Sequence, residues 1–223
     1  MARNTDADTQ PARIRILPGA GGQLQRWRIL WLLVITSLWL LLPAAVASSF
    51  DRALPEHIFS DADLCAYAPC GEVLPGATQF SPRMGKPAYV EGYREENSKR
   101  QRLGYVFLST DIVDIPGYSG KPVITLIGMD DRGLITGIRI LKHSEPLLLS
   151  GIPESVLLRF IHQYVGKYVG DKIEIGESRP NEGVIGLDAI SGATVTVISE
   201  NQVILHSGIA IARQVGILKS SER

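Results

Sequence analysis

Two β-branched stretches joined by a short turn constrain the fold of this chain more than any other feature. Residues 123–129 (VITLIGM) and 134–140 (LITGIRI) flank an Asp-Asp-Arg-Gly turn at 130–133. Runs of Val, Ile and Thr favour strands, and so short a connection requires the two strands to pair antiparallel. Residues 105–108 (YVFL) indicate a further strand before them. The sequence therefore predicts an antiparallel sheet.

Helical patterns follow this hairpin. Residues 153–155 (PES) open a helix, Gly166 ends it, and its apolar face comprises Val156, Leu157, Phe160, Ile161 and Tyr164. A last helix is expected to begin between Thr196 and Glu200 and to end near Val215, after short strands near residues 172–175 and 185–190. These elements predict an α+β fold, an antiparallel sheet with packed helices.

The chain divides into unlike parts. Residues 1–28 carry five Arg, residues 29–42 are apolar apart from Thr36 and Ser37, and Pro43 and small residues follow. We interpret residues 1–47 as a signal peptide, with an uncleaved N-terminal anchor as the alternative; both place the remainder outside the cytoplasm. Residues 48–103 contain five Pro and predict an irregular segment of loops and short helical turns, with a strand at 88–93 and a solvated turn or hairpin tip at 91–102. Residues 104–217 form the main domain and residues 218–223 a tail.

Composition narrows the function classes. The chain has 23 basic and 23 acidic residues, and the part after residue 47 has 18 and 21. This charge excludes a nucleic-acid binder held by phosphate contacts. Cys65 and Cys70, the only cysteines, predict a disulfide in an exported chain and are too few for an iron–sulfur cluster. We predict no metal site, with His57, His162 and His206 as surface residues, and no catalytic constellation.

One segment carries chemical information. Ser191, Thr194 and Thr196 surround Gly192 and Ala193 just before the last predicted helix. A helix N-terminus with small neighbours can bind a phosphate group through its N–H groups and dipole. Small hydroxyl residues are also common N-caps, so the pattern alone leaves a phosphate site and a cap open.

The segment SGATVT at 191–196 resembles the S-G-A-T-x-T motif of the FMN-binding domain found in RnfG, NqrC and NosR/NirI proteins. The similarity is greatest to the N-terminal periplasmic domain of the NosR/NirI family. It covers about residues 74–215 and includes the stretches 105–113, 115–123, 145–146, 151–154 and 164–167.

The resemblance implies an FMN cofactor linked through its phosphate to the hydroxyl of Thr196 by a flavin transferase that uses FAD, with Thr194 as the competing acceptor. It also implies a site for the flavin ring, which we expect near Tyr118, Ser119, Gly120, Glu145, Gly151, Ile152 and Pro153, besides the motif residues. An exposed pair of His143 and Glu145 is the alternative for that position. All three Trp lie in residues 1–47, so Tyr or aliphatic side chains must stack on the ring.

The function implied by the resemblance is that of an electron carrier in the periplasm that supports nitrous-oxide reductase, rather than a substrate-transforming enzyme. NosR proteins continue into membrane helices and cysteine-rich cluster-binding segments that these 223 residues do not contain. A separate membrane partner with iron–sulfur clusters is therefore expected. The alternative is a flavin-dependent sensory or assembly module that regulates the reductase without carrying electrons.

Overall fold

A five-stranded antiparallel sheet forms the centre of the chain in the computed structural model, which describes residues 56–96, 98–176 and 181–219. Its strands follow one another in chain order: β1 Gln79–Phe80, β2 Val90–Glu96, β3 Lys99–Leu108, β4 Ile124–Asp130 and β5 Ile135–Lys142. A separate parallel pair consists of β6 Lys172–Ile175 and β7 Val184–Leu187. The predicted signal at residues 1–47 lies outside the described residues.

Among the described residues, four α-helices pack on this framework: α1 Leu64–Tyr67, α2 Cys70–Val73, α3 Glu154–His162 and α4 Thr194–Gln214. Short 3-10 turns occupy Glu56–Ser60, Ser109–Asp111 and Leu148–Ser150. Within the described part of the chain, α4 alone has the length and mean hydropathy of a membrane-crossing helix, but 56% of its most apolar stretch is buried in the protein. The buried face of α4 packs with the core of the domain.

The strands divide the core between two faces of the sheet. Tyr105 and Phe107 of β3 pack in one apolar cluster with residues of α3 and α4, and we call this the site face. Val106 and Leu108 pack with α1 and α2 in a second cluster, and we call this the disulfide face. The alternation follows from the pleat of a strand, which points successive side chains in opposite directions.

The disulfide face is closed by a short cross-linked segment. Cys65 of α1 and Cys70 of α2 form a disulfide with their Cα atoms 5.4 Å apart. The carbonyl of Val73, at the end of α2, accepts a hydrogen bond of 2.6 Å from the Thr136 hydroxyl. Gly128 and Gly137 face each other across β4 and β5, and a Cβ on either would lie within 2.8 Å of Val73 backbone atoms. These two glycines allow α2 to approach the sheet at main-chain distance.

The α+β fold and its antiparallel sheet are confirmed, but two boundaries differ from the predictions. Strand β3 begins at Lys99, before Gly104, where order was expected to start, whereas β2 overlaps the strand predicted at 88–93. The two strands pair along their full charged ends, with the predicted hairpin tip between them. Arg100 lies 3.6 Å over the Tyr93 ring, and Arg102 pairs with Glu91 at 3.1 Å. Cross-strand contacts of this kind stabilise a hairpin that has few apolar residues, so its composition resembled a loop.

The last helix begins at Thr194, two residues before the predicted range. Alanine and threonine gave no clear start signal there, and the glycine turn before them ends the preceding loop. The third helix agrees with its prediction: Pro153 is the N-cap of α3, and Gly166, with a φ of +81°, follows its end.

Candidate functional site

The segment 191–196 forms the turn into α4 and the first residues of that helix. Gly192 has a φ of +82°, a left-handed conformation that favours glycine. Ala193 is the N-cap residue, and no side-chain hydrogen bond caps the helix. The interpretation of these hydroxyls as an N-cap is therefore wrong. In an α-helix the first N–H groups have no intrahelical acceptor, so this end of α4 can stabilise an anion.

The two threonines of the segment have different surroundings. Thr194 is exposed. Thr196 is only 1% exposed, and its hydroxyl donates a hydrogen bond to Oε2 of Glu145, which lies 51 residues earlier in the chain. The Glu145 carboxylate therefore fixes the direction of the Thr196 hydroxyl, which lies at the start of α4.

Glu145 joins three elements of the site. Its carboxylate is 7% exposed and accepts N–H bonds from Tyr118 at 3.1 Å and from Ser119 at 3.0 Å, in addition to the Thr196 hydroxyl. Burial on its own would raise the pKa of Glu145, but these hydrogen bonds outweigh it and lower the pKa below its ordinary value. Glu145 is therefore ionised at neutral pH.

The loop that contacts Glu145 requires a glycine. A Cβ on Gly117 would lie 2.6 Å from Oε1 of Glu145. The loop closes on itself through a hydrogen bond of 3.0 Å from Gly117 N to the Lys121 carbonyl. The carboxylate can therefore approach the loop amides closely because residue 117 has no side chain.

His143 supports Glu145 from the other side. The Glu145 N–H donates to Nδ1 of His143 at 3.2 Å, and Nε2 of His143 lies 2.9 Å from Oε1 of Glu154. An acceptor at Nδ1 places the proton of a neutral imidazole on Nε2, which then donates to Glu154. The exposed pair of His143 and Glu145, the alternative from the sequence, is not what forms, since Glu145 is buried.

A cavity of about 260 Å³ lies beside the Thr196 hydroxyl. Its walls combine the predicted motif with the loop after β5, and its lining residues are Tyr118, Pro146, Leu147, Ser150, Gly192, Ala193, Thr194, Val195 and Thr196. Tyr118 is 68% exposed and Val195 is 50% exposed, whereas Thr196 is buried. The cavity therefore combines a buried threonine in its wall with an exposed aromatic side chain.

The structure brings together most, but not all, of the predicted residues. Tyr118, Gly192, Ala193, Thr194 and Thr196 line the cavity, and Glu145 and Ser119 lie behind it through their hydrogen bonds. Ile152 is adjacent, since its Cδ1 lies 3.5 Å from the place of a Cβ on Gly192. The remaining four predicted residues are outside the cavity wall: Ser191, Gly120, Gly151 and Pro153.

The residues outside the wall have structural positions that explain their absence. Gly120 and Gly151 have φ values of +75° and +72°, with open space around both. Ser191 is exposed, and Pro153 caps α3. They shape the loops that carry the wall residues.

A second buried carboxyl, Glu200, was not predicted as part of the site. It lies four residues after Thr196 on α4, is 1% exposed, and has its Oε2 3.1 Å from the Thr125 hydroxyl. Burial, and to a smaller extent the charge of Glu145, raise the pKa of Glu200 to about 8. The sequence feature that could have revealed Glu200 was an acidic residue one helical turn after Thr196, on a largely apolar helix face. Pro146, Ser150 and Val195 were also missed, because their side-chain types carry no specific signal.

A larger cavity, of about 700 Å³, lies between α3 and residues 188–190. It shares no lining residue with the cavity beside Thr196. Gln163 and Asp188 are joined there by two hydrogen bonds of 3.1 and 2.9 Å between the Gln163 amide and the Asp188 backbone. The smaller cavity is the candidate site because residues of the 191–196 segment, including the buried Thr196, line it, although the other cavity has the larger volume.

Comparison with known families agrees with this choice. Residues 117–204 match the model of the FMN-binding domain. These residues therefore resemble an FMN-binding domain. The matched range begins in the loop that binds Glu145, includes β4, β5, α3 and the parallel pair, and ends in the middle of α4. Glu145, Thr196 and Glu200 all fall within the matched range.

Several known proteins are similar to this chain, and the first two described below are much longer than it is. The chain is 35% identical to the regulatory protein NosR of Pseudomonas aeruginosa over 137 residues, which are 61% of this chain and 19% of the relative. It is 33% identical to the protein NirI of Paracoccus denitrificans over 115 residues, 52% of this chain and 16% of NirI. One component of the ion-translocating oxidoreductase complex of P. aeruginosa is 30% identical over 122 residues, which cover 52% of each chain. This chain therefore spans less than a fifth of the NosR and NirI relatives.

Proposed function

We propose that this protein is a periplasmic electron-transfer flavoprotein of the NosR type, with FMN attached through a phosphodiester to Thr196. The observation that carries the proposal is the position of the Thr196 hydroxyl. It lies in the first turn of α4, in the wall of the cavity, within the range that matches the FMN-binding domain. FMN supplies one-electron and two-electron redox chemistry when bound, and the protein binds and orients it.

The residues present fit such a group. The helix start favours the negative charge of a phosphodiester, and no capping side chain competes for its N–H groups. Pro146, Leu147 and Val195 provide apolar contact surface, and Tyr118 provides the aromatic side chain that the Trp-free domain needs for stacking. The cavity volume of about 260 Å³ is slightly below the roughly 300 Å³ at which small-molecule pockets begin. A flavin would therefore rest partly against the exposed Tyr118 and Val195 side chains.

Thr196 is a better acceptor than Thr194 for a structural reason. Its hydroxyl is hydrogen-bonded to the Glu145 carboxylate, which can accept the proton, whereas Thr194 is exposed. The buried hydroxyl also needs a partner to reach it, which agrees with attachment by a dedicated flavin transferase that takes FMN from FAD.

The test is intact and peptide mass spectrometry on the full chain, produced with and without a flavin transferase. We expect one FMN adduct on the peptide containing residues 190–202, lost in Thr196→Ala and retained in the control Thr194→Ala. An adduct retained by Thr196→Ala and lost by Thr194→Ala would move the linkage to Thr194. A chain left unmodified beside a modified control flavoprotein would contradict covalent attachment.

The cellular setting follows from the N-terminal sequence and the relatives. The basic and apolar residues 1–47 favour export to the periplasm, with attachment to the inner membrane if they are retained. Two relatives are named regulatory protein NosR and protein NirI. We propose that this chain supports nitrous-oxide reductase through a membrane partner with iron–sulfur clusters.

The word "regulatory" in the name of the NosR relative favours a second candidate, a flavin-dependent sensory or assembly module. The two candidates differ in turnover. A carrier is reduced and reoxidised repeatedly by its partners, whereas a module binds its partner tightly in one redox state. Stopped-flow absorbance of the flavin with membranes from the same organism distinguishes repeated exchange from a single binding event.

A further inference from the structure

We propose that Glu145 takes the proton from the Thr196 hydroxyl during flavin attachment, so that this chain supplies the general base for its own modification. This inference rests on the proposed function, since it requires Thr196 to be the acceptor. It adds a catalytic role for a residue that the resemblance implied only as a neighbour of the flavin ring.

The first support is geometric. A general base must lie within hydrogen-bond distance of the proton that it removes. The Thr196 hydroxyl already donates to Oε2 of Glu145 in the unmodified protein. The hydrogen therefore points at the carboxylate, and the lone pairs of the Thr196 oxygen are directed away from Glu145.

The second support is the charge state of the carboxylate. The N–H groups of Tyr118 and Ser119, together with the Thr196 hydroxyl, lower the pKa of Glu145 in spite of its burial. Glu145 is therefore available as a base throughout the neutral range. Glu200, one turn further along α4, is protonated in the same range and cannot serve.

The third support is rigidity. Both carboxylate oxygens are fixed by the 117–121 loop, whose glycine at position 117 permits the close approach. The backbone N–H of Glu145 is fixed by His143. A base held from several sides needs little reorganisation when the proton moves.

The attachment step conserves atoms and electrons. The Thr196 oxygen attacks the flavin-side phosphorus of FAD, the new Oγ1–P bond forms, and the pyrophosphate P–O bond breaks. AMP leaves with the bridging oxygen and its electron pair. The hydroxyl proton moves to the Glu145 carboxylate and then to solvent. The transferase binds FAD and stabilises the charge on the phosphates.

The experiment measures the rate of adduct formation on the full chain, purified without flavin from a host that lacks the transferase. Purified transferase and FAD are added in excess, and the adduct on residues 190–202 is followed by mass spectrometry from pH 9 down to the lowest pH at which the domain stays folded. The variants are Glu145→Gln, Glu145→Asp and the control Glu95→Gln, an exposed carboxylate that pairs with Gln79 on the β2–β3 hairpin. Thermal unfolding of each variant reports whether the domain folds.

We expect Glu145→Gln to form the adduct about 100-fold more slowly than wild type, within the 10²–10⁴ that general bases contribute, while Glu95→Gln stays within about twofold. Because hydrogen bonds hold the pKa of Glu145 below its ordinary value, the wild-type rate should stay level near neutral pH and fall only in the acid range below the ordinary pKa of a glutamate. Glu145→Gln should lose that acid-side fall. Glu145→Asp should keep the pH dependence at a reduced rate, because it retains a carboxylate at a longer distance.

Three results would overturn the inference. A folded Glu145→Gln variant modified at the wild-type rate would exclude Glu145 as the base. A slow Glu145→Gln variant with an unchanged pH profile would reduce Glu145 to a positioning residue. Wild type that remains unmodified under these conditions would overturn the proposed attachment itself, which separates that failure from the other two.

Discussion

The two faces of the sheet differ in what they bury. The site face encloses Glu145, Glu200, Thr125 and Thr196 beside its apolar cluster, whereas the disulfide face is closed by aliphatic side chains and a cross-link. In the described part of the chain, no fully buried side-chain nitrogen or oxygen lacks a hydrogen-bond partner. Hydrogen bonds offset much of the free energy that desolvating polar groups costs, so the polar side chains of the site face stabilise the fold less than an equal apolar area would. The disulfide face stabilises the sheet on which the site is built.

The difference is sharpest between the two carboxyl groups of the site face. Glu145 has three donors and a lowered pKa, and Glu200 has the Thr125 hydroxyl and a raised pKa. Glu200 is the more deeply buried of the two and has fewer hydrogen-bond donors, so it is neutral at neutral pH while Glu145 is charged. The charged carboxylate is the one that contacts Thr196.

The largest expected effect is on pH-dependent stability through Glu200. In the folded protein it keeps its proton up to about pH 8, whereas its ordinary pKa is 4.5. Between these values the folded state holds more protons than the unfolded state, so stability falls as pH rises. The fall is about 1.4 kcal/mol per pH unit, which over the roughly 3.5 units between the two pKa values is on the order of 5 kcal/mol in total.

Glu200→Gln should remove this dependence, with stability near wild type at pH 5 and well above it at pH 8.5. Urea unfolding at both pH values measures the difference. The lowered pKa of Glu145 acts in another window: its contribution is present above its unfolded pKa and is lost as pH falls through its folded pKa. Equal pH dependence in wild type and Glu200→Gln would contradict the assignment of a neutral buried acid.

Sequence reasoning predicted the sheet, α3 and a last helix close to the motif, because each has a strong local signal, although that helix begins two residues before the predicted range. The β-branched runs around residues 130–133 and the SGATVT segment are examples. It could not predict that Thr196 is buried and Thr194 exposed, since that depends on the turn at Gly192 and on a carboxylate 51 residues away. Glu200 was missed because its burial likewise depends on contacts with distant parts of the chain. A single acidic residue in a helix looks solvated until the packing around it is known.

The second prediction tests close packing on the disulfide face. Gly128→Ala would place a Cβ 2.0 Å from the Val73 carbonyl oxygen, and a backbone atom cannot move aside as a flexible side chain can. We expect a loss of about 3 kcal/mol in the free energy of unfolding. The matched control is Gly71→Ala on the same face, where the nearest atom would be 4.0 Å away.

Gly128→Ala also tests the division between the faces. Molecules that remain folded should still accept flavin at Thr196 at the rate of Gly71→Ala, because the change lies on the opposite side of the sheet. A folded variant with normal stability would show that α2 shifts freely, and the proposed close approach would not stabilise the sheet.

The third prediction concerns the disulfide. Replacing both cysteines, Cys65→Ala with Cys70→Ala, opens a loop of about six residues and should cost about 2 kcal/mol through the entropy of the unfolded chain. Alanine is chosen because Cys70 is buried and a serine there would bury a hydroxyl. Unfolding in urea, beside oxidised and reduced wild type, measures the loss. Reduced wild type should match the double variant; a larger loss in the variant would assign the effect to side-chain packing.

The smallest expected effect returns to the site face. The Tyr164 hydroxyl donates to Oδ1 of Asn201 at 2.7 Å, and burial keeps the phenol neutral by raising its pKa. Tyr164→Phe removes this bond but keeps the edge-to-face contact with Phe160, whose ring centroid lies 5.8 Å away. We expect the free energy of unfolding to fall by about 1 kcal/mol, the usual contribution of one hydrogen bond, and the pH dependence of that free energy to stay unchanged.

Tyr164→Phe therefore separates polar groups that stabilise the site face from those that react. If only Glu145 and Thr196 participate in flavin attachment, this variant should form the adduct at the wild-type rate in the same mass-spectrometric assay. A rate reduced tenfold or more in a folded Tyr164→Phe protein would add Tyr164 and Asn201 to the residues that participate in flavin attachment. Asn201 is adjacent to Glu200 in the chain, so Tyr164 would then act through that turn of α4.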